Sequence, residues 1–400
     1  MGSDSLIVGA GPAGLLAAKE IASRGFSVRI LEEHNQVGVP SHCAGLISVE
    51  GLRRIGVEAS SRFVQNEIAG GRIYSPDGQC IEIRDTRPRA HVIDRAALDQ
   101  HLAEKALDAG AELVLSRRGE KLTLAEGRVT GASGAGWEEE ARIVIDAEGP
   151  SRRLAREAGL VNPRRVPLLG VNTEVTCEID TTMVEVWFGE ETAPGFFAWV
   201  IPTSDKQARV GLATREGDPT KLLTCFIEKR FGAASHPPPR AGQVLVDGPV
   251  SRTSFPGLLL VGDAAGHVKP TTGGGVVLGG LCAIEAGKVA TKALESGDIS
   301  QRSLAQYDET WRRLYGAEFR SMQTLRSLAD RVSDGRMNRF FRAFSEAGLS
   351  DVVYDLVADG DMDLQDGVIR RALSEPRLMK TVAGGLGRLA LAELRDLVNI

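Results

Sequence analysis

A glycine-rich turn near the start of the chain predicts a dinucleotide-binding fold. Residues 5–8 form an apolar run, the pattern Gly9-Ala10-Gly11-Pro12-Ala13-Gly14 follows, and apolar residues at helical spacing continue to Ile21. In the strand, turn and helix that this order predicts, Gly9 permits the tight turn, Gly11 lets the backbone approach a pyrophosphate, and Gly14 allows close packing of the helix on the strand. The N-terminus of the helix then faces the phosphate charge, so we expect a nucleotide site here.

An acidic residue follows the second predicted strand where a ribose contact requires one. That strand covers residues 27–31, and Glu32 comes eighteen residues after Gly14. Its carboxylate is expected to bind the adenosine ribose hydroxyls, with Glu33 beside it. A glycine turn without a ligand would leave Glu32 unexplained, so we interpret the unit as a nucleotide site.

Two later stretches indicate that the nucleotide is FAD. Asp94-Arg95-Ala-Ala-Leu98 begins a helix predicted to end at Ala109, and far downstream an apolar strand over 256–262 leads into Asp263. The Asp263 carboxylate is well placed to accept a hydrogen bond from a ribityl hydroxyl. Pro270-Thr-Thr-Gly273-Gly274-Gly275 then precedes a helix whose first N–H groups would face the flavin ring, where negative charge accumulates on reduction.

Composition restricts the class of protein further. The net charge of -5 and an aromatic content of 5% argue against nucleic acid as a partner, and 42% hydrophobic residues supply cores for two or three domains. The five cysteines have no CxxC spacing, so we expect a reduced, cytoplasmic protein without zinc or an iron–sulfur cluster. The chain begins at its first strand, which predicts no signal peptide, and no uncharged apolar stretch reaches the ~20 residues that span a bilayer.

One acidic segment imitates a metal site. Asp359-Gly-Asp361-Met-Asp363 has the pattern of the first half of a calcium loop. The sixth position of that loop is Leu364 instead of Gly, and the twelfth is Arg370 instead of Glu. We therefore interpret the segment as a solvated acidic turn and predict no metal.

The order of helical and strand patterns predicts an α/β fold of three parts. A Rossmann-type FAD-binding domain is discontinuous, over residues 1–70, 92–165 and 247–300. A mainly antiparallel β-sheet substrate domain is inserted over 71–91 and 166–246, where apolar and polar residues alternate. A C-terminal helical region, 301–400, closes the chain, and its segment 378–397 is expected either to pack on the body or to contact a membrane.

Over about residues 1–300 the chain resembles the geranylgeranyl reductase family of the para-hydroxybenzoate-hydroxylase-like flavoproteins. The shared marks are the glycine turn with Glu32, the loop Pro40-Ser-His-Cys43-Ala44-Gly45, the segment 94–99, and Gly262-Asp263-Ala-Ala-Gly followed by PxxGGG. The most discriminating is Pro194-Gly-Phe196-Phe197-Ala-Trp199-Val-Ile201-Pro202. It matches the family's substrate-cavity pattern PxxYxWxFP with Phe197 for Tyr and Ile201 for Phe, and Glu148-Gly149 stands where relatives have Asp-Gly.

The resemblance implies a reaction and a set of site residues. The reaction is saturation of isoprenoid double bonds, with hydride leaving flavin N5 and a proton reaching the other alkene carbon. The residues implied as catalytic are Cys43, Phe197 and Trp199, and those of an apolar slot for the prenyl chain are Pro194, Phe196, Phe197, Trp199, Ile201 and Pro202. The cofactor residues expected from the motifs and the resemblance are Gly9, Ala10, Gly11, Pro12, Ala13, Gly14, Glu32, Glu33, Cys43, Ala44, Gly45, Arg95, Ala147, Glu148, Gly149, Gly262, Asp263, Pro270, Gly273, Gly274 and Gly275.

Several alternatives stay open. Cys43 could act as proton donor, redox relay or steric gate, and the electrons could come from NAD(P)H or from an external ferredoxin-like protein. The substrate could be a geranylgeranyl membrane-lipid precursor met at a membrane surface, geranylgeranyl diphosphate, a chlorophyll side chain or a polyprenyl quinone. The alternative functions are a flavin monooxygenase of the same fold and a non-catalytic isoprenoid-binding flavoprotein. A halogenase is disfavoured, because flavin-dependent halogenases carry an essential lysine after the first nucleotide-binding unit and this chain has no lysine between Lys19 and Lys105.

Overall fold

The computed structural model describes residues 2–160, 167–358 and 360–386. Its strands are β1 Ser3–Val8, β2 Val28–Leu31, β3 Leu46–Ser48, β4 Val64–Ile68, β5 Gly70–Tyr74, β6 Cys80–Arg84, β7 Ala90–Ile93, β8 Glu112–Val114, β9 Lys121–Ala125, β10 Arg128–Gly134, β11 Trp137–Asp146, β12 Leu168–Thr176, β13 Met183–Trp187, β14 Ala198–Pro202, β15 Gln207–Thr214, β16 Arg240–Val244, β17 Ser254–Phe255 and β18 Leu258–Leu260. Its helices are α1 Pro12–Ala22, α2 Val49–Arg54, α3 Arg95–Asp108, α4 Arg153–Glu157, α5 Pro219–Phe231, α6 Gly262–Ala265, α7 Val276–Ser296, α8 Gln301–Ala329, α9 Asp334–Glu346, α10 Ser350–Ala358, α11 Asp366–Ser374 and α12 Pro376–Leu386.

The first sheet gathers the predicted cofactor motifs at one edge. Its strand order is β17-β18-β11-β1-β2-β8, and β1, β2, β8, β11 and β18 run in parallel. The first half of β11 turns away to pair with β10, which pairs with β9. Because parallel strands end at the same edge, the segments that begin at Gly9, Ala147 and Val261 meet there.

The second sheet separates a packed face from a face that looks toward the cofactor motifs. Its order is β16-β12-β15-β14-β13-β5-β6, antiparallel apart from the β13–β5 pair. One face packs on α5, where Val200 and Val210 meet Leu223 and Phe226. Since side chains alternate along a strand, Trp199 lies on the opposite face.

Small residues let two helices of the nucleotide-binding part pack closely. A Cβ at Gly280 of α7 would come 2.8 Å from Leu16 Cδ1 of α1, and one at Gly287 would come 3.1 Å from the Ala17 carbonyl oxygen. A third, short sheet has the order β3-β7-β4. Its Ile93 packs in the core of the nucleotide-binding part, and its Val92 packs with Ile201 of the second sheet.

Helix α5 is the main element that the sequence reasoning missed, because it lies in a section predicted as strand-rich. Its start nevertheless carries a helix signal: the Asp218 side chain accepts hydrogen bonds from the backbone N–H groups of Thr220 and Lys221, and Pro219 takes the first helical position. The C-terminal part is helical as expected, although residues 387–397 of the segment predicted to pack or to contact a membrane lie outside the described residues. Over the described ranges, no helix has the length and apolar character needed to cross a bilayer.

Candidate flavin and substrate site

The glycine turn is shaped by close backbone contacts on one side and open space on the other. Gly9 has a φ of +109°, and a Cβ there would lie 2.3 Å from the Ala147 carbonyl oxygen. A Cβ at Gly14 would lie 2.1 Å from the Gly9 carbonyl oxygen, and one at Gly262 would lie 2.8 Å from Ala13 Cβ. Nothing lies within 4 Å of the Cβ position of Gly11, which leaves its backbone open to a ligand.

Glu32 closes the turn from the neighbouring strand. Its carboxylate is buried and accepts a hydrogen bond from the Ala10 N–H at 3.0 Å. The other oxygen accepts one from the His34 N–H at 3.0 Å, and His34 Nδ1 lies 2.6 Å from it. Glu33 is exposed and pairs with Arg118 at 3.3 Å, so the structure brings Glu32 to the turn and leaves Glu33 at the surface.

Asp263 places a half-buried carboxylate at the edge where the predicted cofactor motifs meet. Burial raises the pKa of Asp263, while the charges of Arg95 and Arg152 oppose that shift. Its Oδ1 would lie 2.6 Å from a Cβ at Gly275, so the loop that carries Pro270, Gly273 and Gly274 passes directly beside it. A carboxylate acceptor next to an open glycine turn fits the hydroxyl-bearing chain of FAD.

Arg95 connects the cofactor edge to the cysteine loop. It forms a two-point ion pair with Asp99, with N–O distances of 2.7 and 3.2 Å. Burial alone would lower the pKa of Arg95, but Asp99 and then Cys43 outweigh it and raise that pKa. The charge of Arg95 therefore acts on the Asp263 carboxylate as well as on Asp99.

The second sheet holds the cysteine loop in place through contacts that the sequence did not reveal. Asn172 Nδ2 donates to the His42 carbonyl oxygen at 3.0 Å, and Arg209 Nη1 donates to the Ala44 carbonyl oxygen at 2.8 Å. Cys43 Sγ accepts a hydrogen bond from the Gly45 N–H at 3.3 Å. Each of the hydrogen bonds from Asn172 and Arg209 joins residues more than one hundred positions apart, which explains why local sequence patterns did not predict them.

The predicted slot residues form a continuous aromatic wall. Phe196 and Phe197 stack with ring centroids 4.1 Å apart, and Phe197 meets the edge of Trp199 at 6.2 Å. Ile201 is buried in a cluster with Trp199 and Ala44 of the cysteine loop. The Trp199 Nε1–H group is buried and has no hydrogen-bond partner in the described chain, so it is free to donate to a ligand.

The aromatic wall and the glycine loop of the predicted cofactor motif are in direct contact. Val244 packs in the same cluster as Phe196, Phe197 and Trp199. A Cβ at Gly273 would lie only 2.3 Å from Val244 Cγ1, so this loop of the cofactor motif rests on the wall of the slot. Pro194 and Pro202 flank the wall, and the Pro194 carbonyl oxygen accepts hydrogen bonds from the Arg215 N–H at 2.9 Å and from Thr214 Oγ1 at 3.2 Å.

Behind the Ala147-Glu148-Gly149 loop lies a charged cluster that sequence reasoning missed. Arg152 and Asp247 form a buried two-point ion pair at 2.7 and 3.2 Å, and Arg152 Nε donates to the Asp263 carbonyl oxygen at 2.9 Å. Burial and the neighbouring Glu148 raise the pKa of Asp146 well above its usual range, and burial also raises the pKa of Glu148. Arg152 thus ties the backbone that carries Asp263 to the body of the protein.

The acidic segment that imitates a calcium loop is not solvated at Asp363, so the expectation of a solvated turn was wrong for this described part of it. Asp363 is buried, and its carboxylate accepts hydrogen bonds from Lys269 Nζ at 2.7 Å and Ser48 Oγ at 2.5 Å. The segment anchors the loop that begins at Lys269 and ends at Gly275. Across residues 2–160, 167–358 and 360–386, no group of three His, Cys, Asp or Glu side chains is arranged to hold a metal ion.

Comparison with a family model identifies the class of protein. A family model described as "FAD binding domain" matches residues 3–233. Together with the glycine turn and the Asp263 carboxylate beside it, this match defines a flavoprotein that binds FAD.

Curated relatives define the family. The chain is 34% identical to digeranylgeranylglycerophospholipid reductase 2 of Methanothermobacter thermautotrophicus over 362 residues, which covers 87% of this chain and 93% of the relative. It is 30% identical to digeranylgeranylglycerophospholipid reductase of Methanocaldococcus jannaschii, covering 94% and 96% of the two chains. The chain therefore belongs to the digeranylgeranylglycerophospholipid reductase family, and it is an FAD-dependent oxidoreductase.

Solved structures show the same fold. A geranylgeranyl bacteriochlorophyll reductase-like protein from Thermoplasma acidophilum superimposes with a TM-score of 0.82 at 24% identity, covering 99% of each chain. A flavin-dependent brominase superimposes with a TM-score of 0.70 at 17% identity, covering 93% of this chain and 98% of the other. The predicted fold class and family are confirmed, while the brominase shows that this scaffold alone does not determine the chemistry.

Proposed function

We propose that this protein saturates the isoprenoid double bonds of a geranylgeranylated glycerophospholipid. The observation that carries the proposal is an aromatic wall that packs against the loop of Gly273, in a chain that belongs to the digeranylgeranylglycerophospholipid reductase family. Bound FAD, once reduced, supplies the hydride. The protein must then bind the alkene, exclude water and bring a proton to the second carbon.

The slot is suited to bind an apolar chain by burial. Each CH₂ that leaves water contributes about 0.8 kcal/mol, so a long prenyl chain gains substantial affinity without polar contacts. Phe196, Phe197 and Ile201 supply the apolar surface, and the unpartnered Trp199 N–H supplies a polar contact. This chain has Phe197 where the family pattern has a tyrosine, so we assign Trp199 the main orienting role.

Cys43 is our candidate for the group that meets the second alkene carbon. Its loop contacts the slot through Ala44, and its sulfur lies beside the Arg95 side chain. Two variants distinguish a role of Cys43 as proton donor from a role as steric gate. Cys43→Ser keeps a donor and retains activity if proton supply is the role, whereas Cys43→Ala removes the donor at little change in volume.

The external partners are part of the proposal. We infer that the lipid is met at the cytoplasmic membrane surface, because a double-chain phospholipid is held in bilayers, and that the protein associates peripherally. The electron donor is either NAD(P)H, bound transiently, or a ferredoxin-like protein. Adding each donor to the FAD-loaded protein and following the flavin absorbance shows which of the two reduces the FAD.

The test is anaerobic. The FAD-loaded protein is reduced with dithionite, geranylgeranylated glycerophospholipid in detergent is added, and flavin reoxidation and product mass are followed together. Reoxidation with a gain of two hydrogens per double bond supports the reductase. Reoxidation only after oxygen is admitted, with an oxygen atom in the product, would favour the monooxygenase, and lipid binding without any turnover would favour the isoprenoid-binding flavoprotein.

A further inference from the structure

The end of helix α8 reaches the turn that carries the aromatic wall. Arg326 is 6% exposed, and its Nη2 donates to the Gly195 carbonyl oxygen at 2.7 Å. The guanidinium carbon lies 5.2 Å from the centroid of the Phe196 ring, in cation–π geometry. Its Nε donates to Asp330 at 2.9 Å, which fixes the plane of the guanidinium. No sequence motif marked this residue.

The same turn is held from its other side. Arg215 pairs with Asp330 at 3.2 Å, and its backbone N–H donates to the Pro194 carbonyl oxygen at 2.9 Å. Gly195 has a φ of +72°, and a Cβ there would lie 3.1 Å from Arg215 Cβ. The turn is therefore enclosed between two arginines that share one carboxylate, with little room to shift.

The position of this turn is transmitted to the slot by ring contacts. Phe196, which lies under Arg326, stacks on Phe197 with a 4.1 Å centroid separation and an interplanar angle of 18°. Phe197 in turn meets the ring edges of Trp199 at 6.2 Å and of Phe188 at 6.0 Å. Because close-packed rings move together, a displacement of Phe196 displaces the wall that a prenyl chain would contact.

Helix α8 also contacts the cofactor edge, so it connects the flavin site to the slot. Tyr307 OH donates to the Leu260 carbonyl oxygen at 3.1 Å, two residues before Gly262. Trp311 packs on His267 with 4.8 Å between ring centroids, and Gln323 donates to the Asp247 carbonyl oxygen at 2.9 Å. At about 1.5 Å per residue, the helix extends ~28 Å from Tyr307 to Arg326 as one rigid element.

We propose that Arg326 is a specificity-determining positioning residue, which sets the place of the Phe197 and Trp199 rings relative to the flavin and thereby which isoprenoid double bonds are reduced. The inference rests on the proposed function. The double bonds of a geranylgeranyl chain recur at equal spacing in chemically similar surroundings, so polar recognition cannot tell them apart. Their selection must come from how far the chain enters the slot, and the aromatic wall governs that depth.

The experiment compares product patterns. Arg326→Met removes the charge and its hydrogen bonds but keeps an apolar stem, and Arg326→Lys keeps a charge and one donor. The matched control is Arg320→Met, an exposed arginine six residues earlier in the same helix. Each FAD-loaded variant is given geranylgeranylated glycerophospholipid anaerobically, and products are resolved by the number of double bonds saturated, alongside kcat, KM, FAD content and Tm.

We expect Arg326→Met to accumulate partly saturated lipid and to lose about tenfold or more in kcat, because a small misplacement of the reacting carbons is costly. Arg326→Lys should restore part of the pattern, and Arg320→Met should match the wild type. If Arg326→Met fails to fold, Arg326→Lys and Arg215→Met carry the test. The inference is overturned if folded, FAD-loaded variants at these positions lower only Tm and leave the wild-type product pattern.

Failure of the proposed function gives a different result. In that case the wild type and Arg320→Met also form no saturated lipid, and the assignment of Arg326 to double-bond selection falls with it. A wild type that reduces the lipid while the Arg326 and Arg215 variants reproduce its pattern contradicts the inference alone.

Discussion

Removing the carboxylate of Asp247 should destabilise the protein strongly, because it would leave the Arg152 guanidinium buried without a counter-ion. The two side chains are 4% and 3% exposed, and two N–O contacts of 2.7 and 3.2 Å join them. Breaking such a pair from one side costs about 3–5 kcal/mol. We therefore expect Asp247→Ala to lower the free energy of unfolding of the FAD-free protein by that amount.

The double variant Arg152→Met/Asp247→Leu separates stability from cofactor binding. An apolar pair of similar volume can replace a buried ion pair at little cost, so most of the lost stability should return. The hydrogen bond from Arg152 to the Asp263 carbonyl oxygen is not restored, so FAD binding should stay weaker than in the wild type. Urea unfolding followed by circular dichroism gives the first quantity, and flavin fluorescence titration gives the second.

A loss in Asp247→Ala of no more than the ~1 kcal/mol typical of an exposed pair would refute the reasoning. So would a double variant that binds FAD as tightly as the wild type, since Arg152 would then have no part in holding the Asp263 backbone.

Three further changes test other parts of the site. Gly14→Ala should abolish FAD binding, because the new Cβ would lie 2.1 Å from the Gly9 carbonyl oxygen. The control Gly367→Ala, in open space on α11, should be neutral or should stabilise the protein by up to ~1 kcal/mol. Flavin titration and Tm measurements on both variants check this. Burial and Glu148 raise the pKa of Asp146, so the folded protein keeps a proton that the unfolded chain loses above about pH 3.8, and stability falls as pH rises towards the raised pKa. Asp146→Asn should remove this slope, which is ~1.4 kcal/mol per pH unit for one proton. Urea unfolding of both proteins between pH 4 and 8 measures it, and plots of unfolding free energy against pH that stay parallel would contradict the prediction. Asp363→Ala removes the ion pair that holds Lys269 and should weaken FAD binding about tenfold in the same titration. An unchanged affinity for FAD would contradict this prediction.

Local sequence patterns predicted the strand and turn elements that carry candidate site residues on consecutive positions. The turn from Gly9 to Gly14 and the strand before Glu32 are each coded within a few positions, because strands and turns follow short periodicities. The aromatic segment from Phe196 to Trp199 was expected from the family resemblance instead. The confirmed fold class rests on these patterns.

Long-range polar contacts were not predictable in this way. The Arg152–Asp247 pair and the bond from Arg326 to Gly195 join residues 95 and 131 positions apart, and no periodicity encodes such partners. Asp363 was assigned to solvent because acidic turns are usually exposed, yet Lys269 and Ser48 bury it. A buried charge of this kind shows only in the folded chain, where its partners come together.

The central claim is that flavin and slot act together as an alkene reductase. The most direct measurement is a single anaerobic turnover of dithionite-reduced, FAD-loaded protein in D₂O, with the oxidised flavin counted against the deuterium gained by the lipid. The account predicts one flavin oxidised for each double bond saturated and two deuterium atoms in that bond, because both the flavin N5 hydrogen and the donated proton exchange with solvent. Flavin that stays reduced until oxygen enters, with no deuterium in the lipid chain, would contradict it.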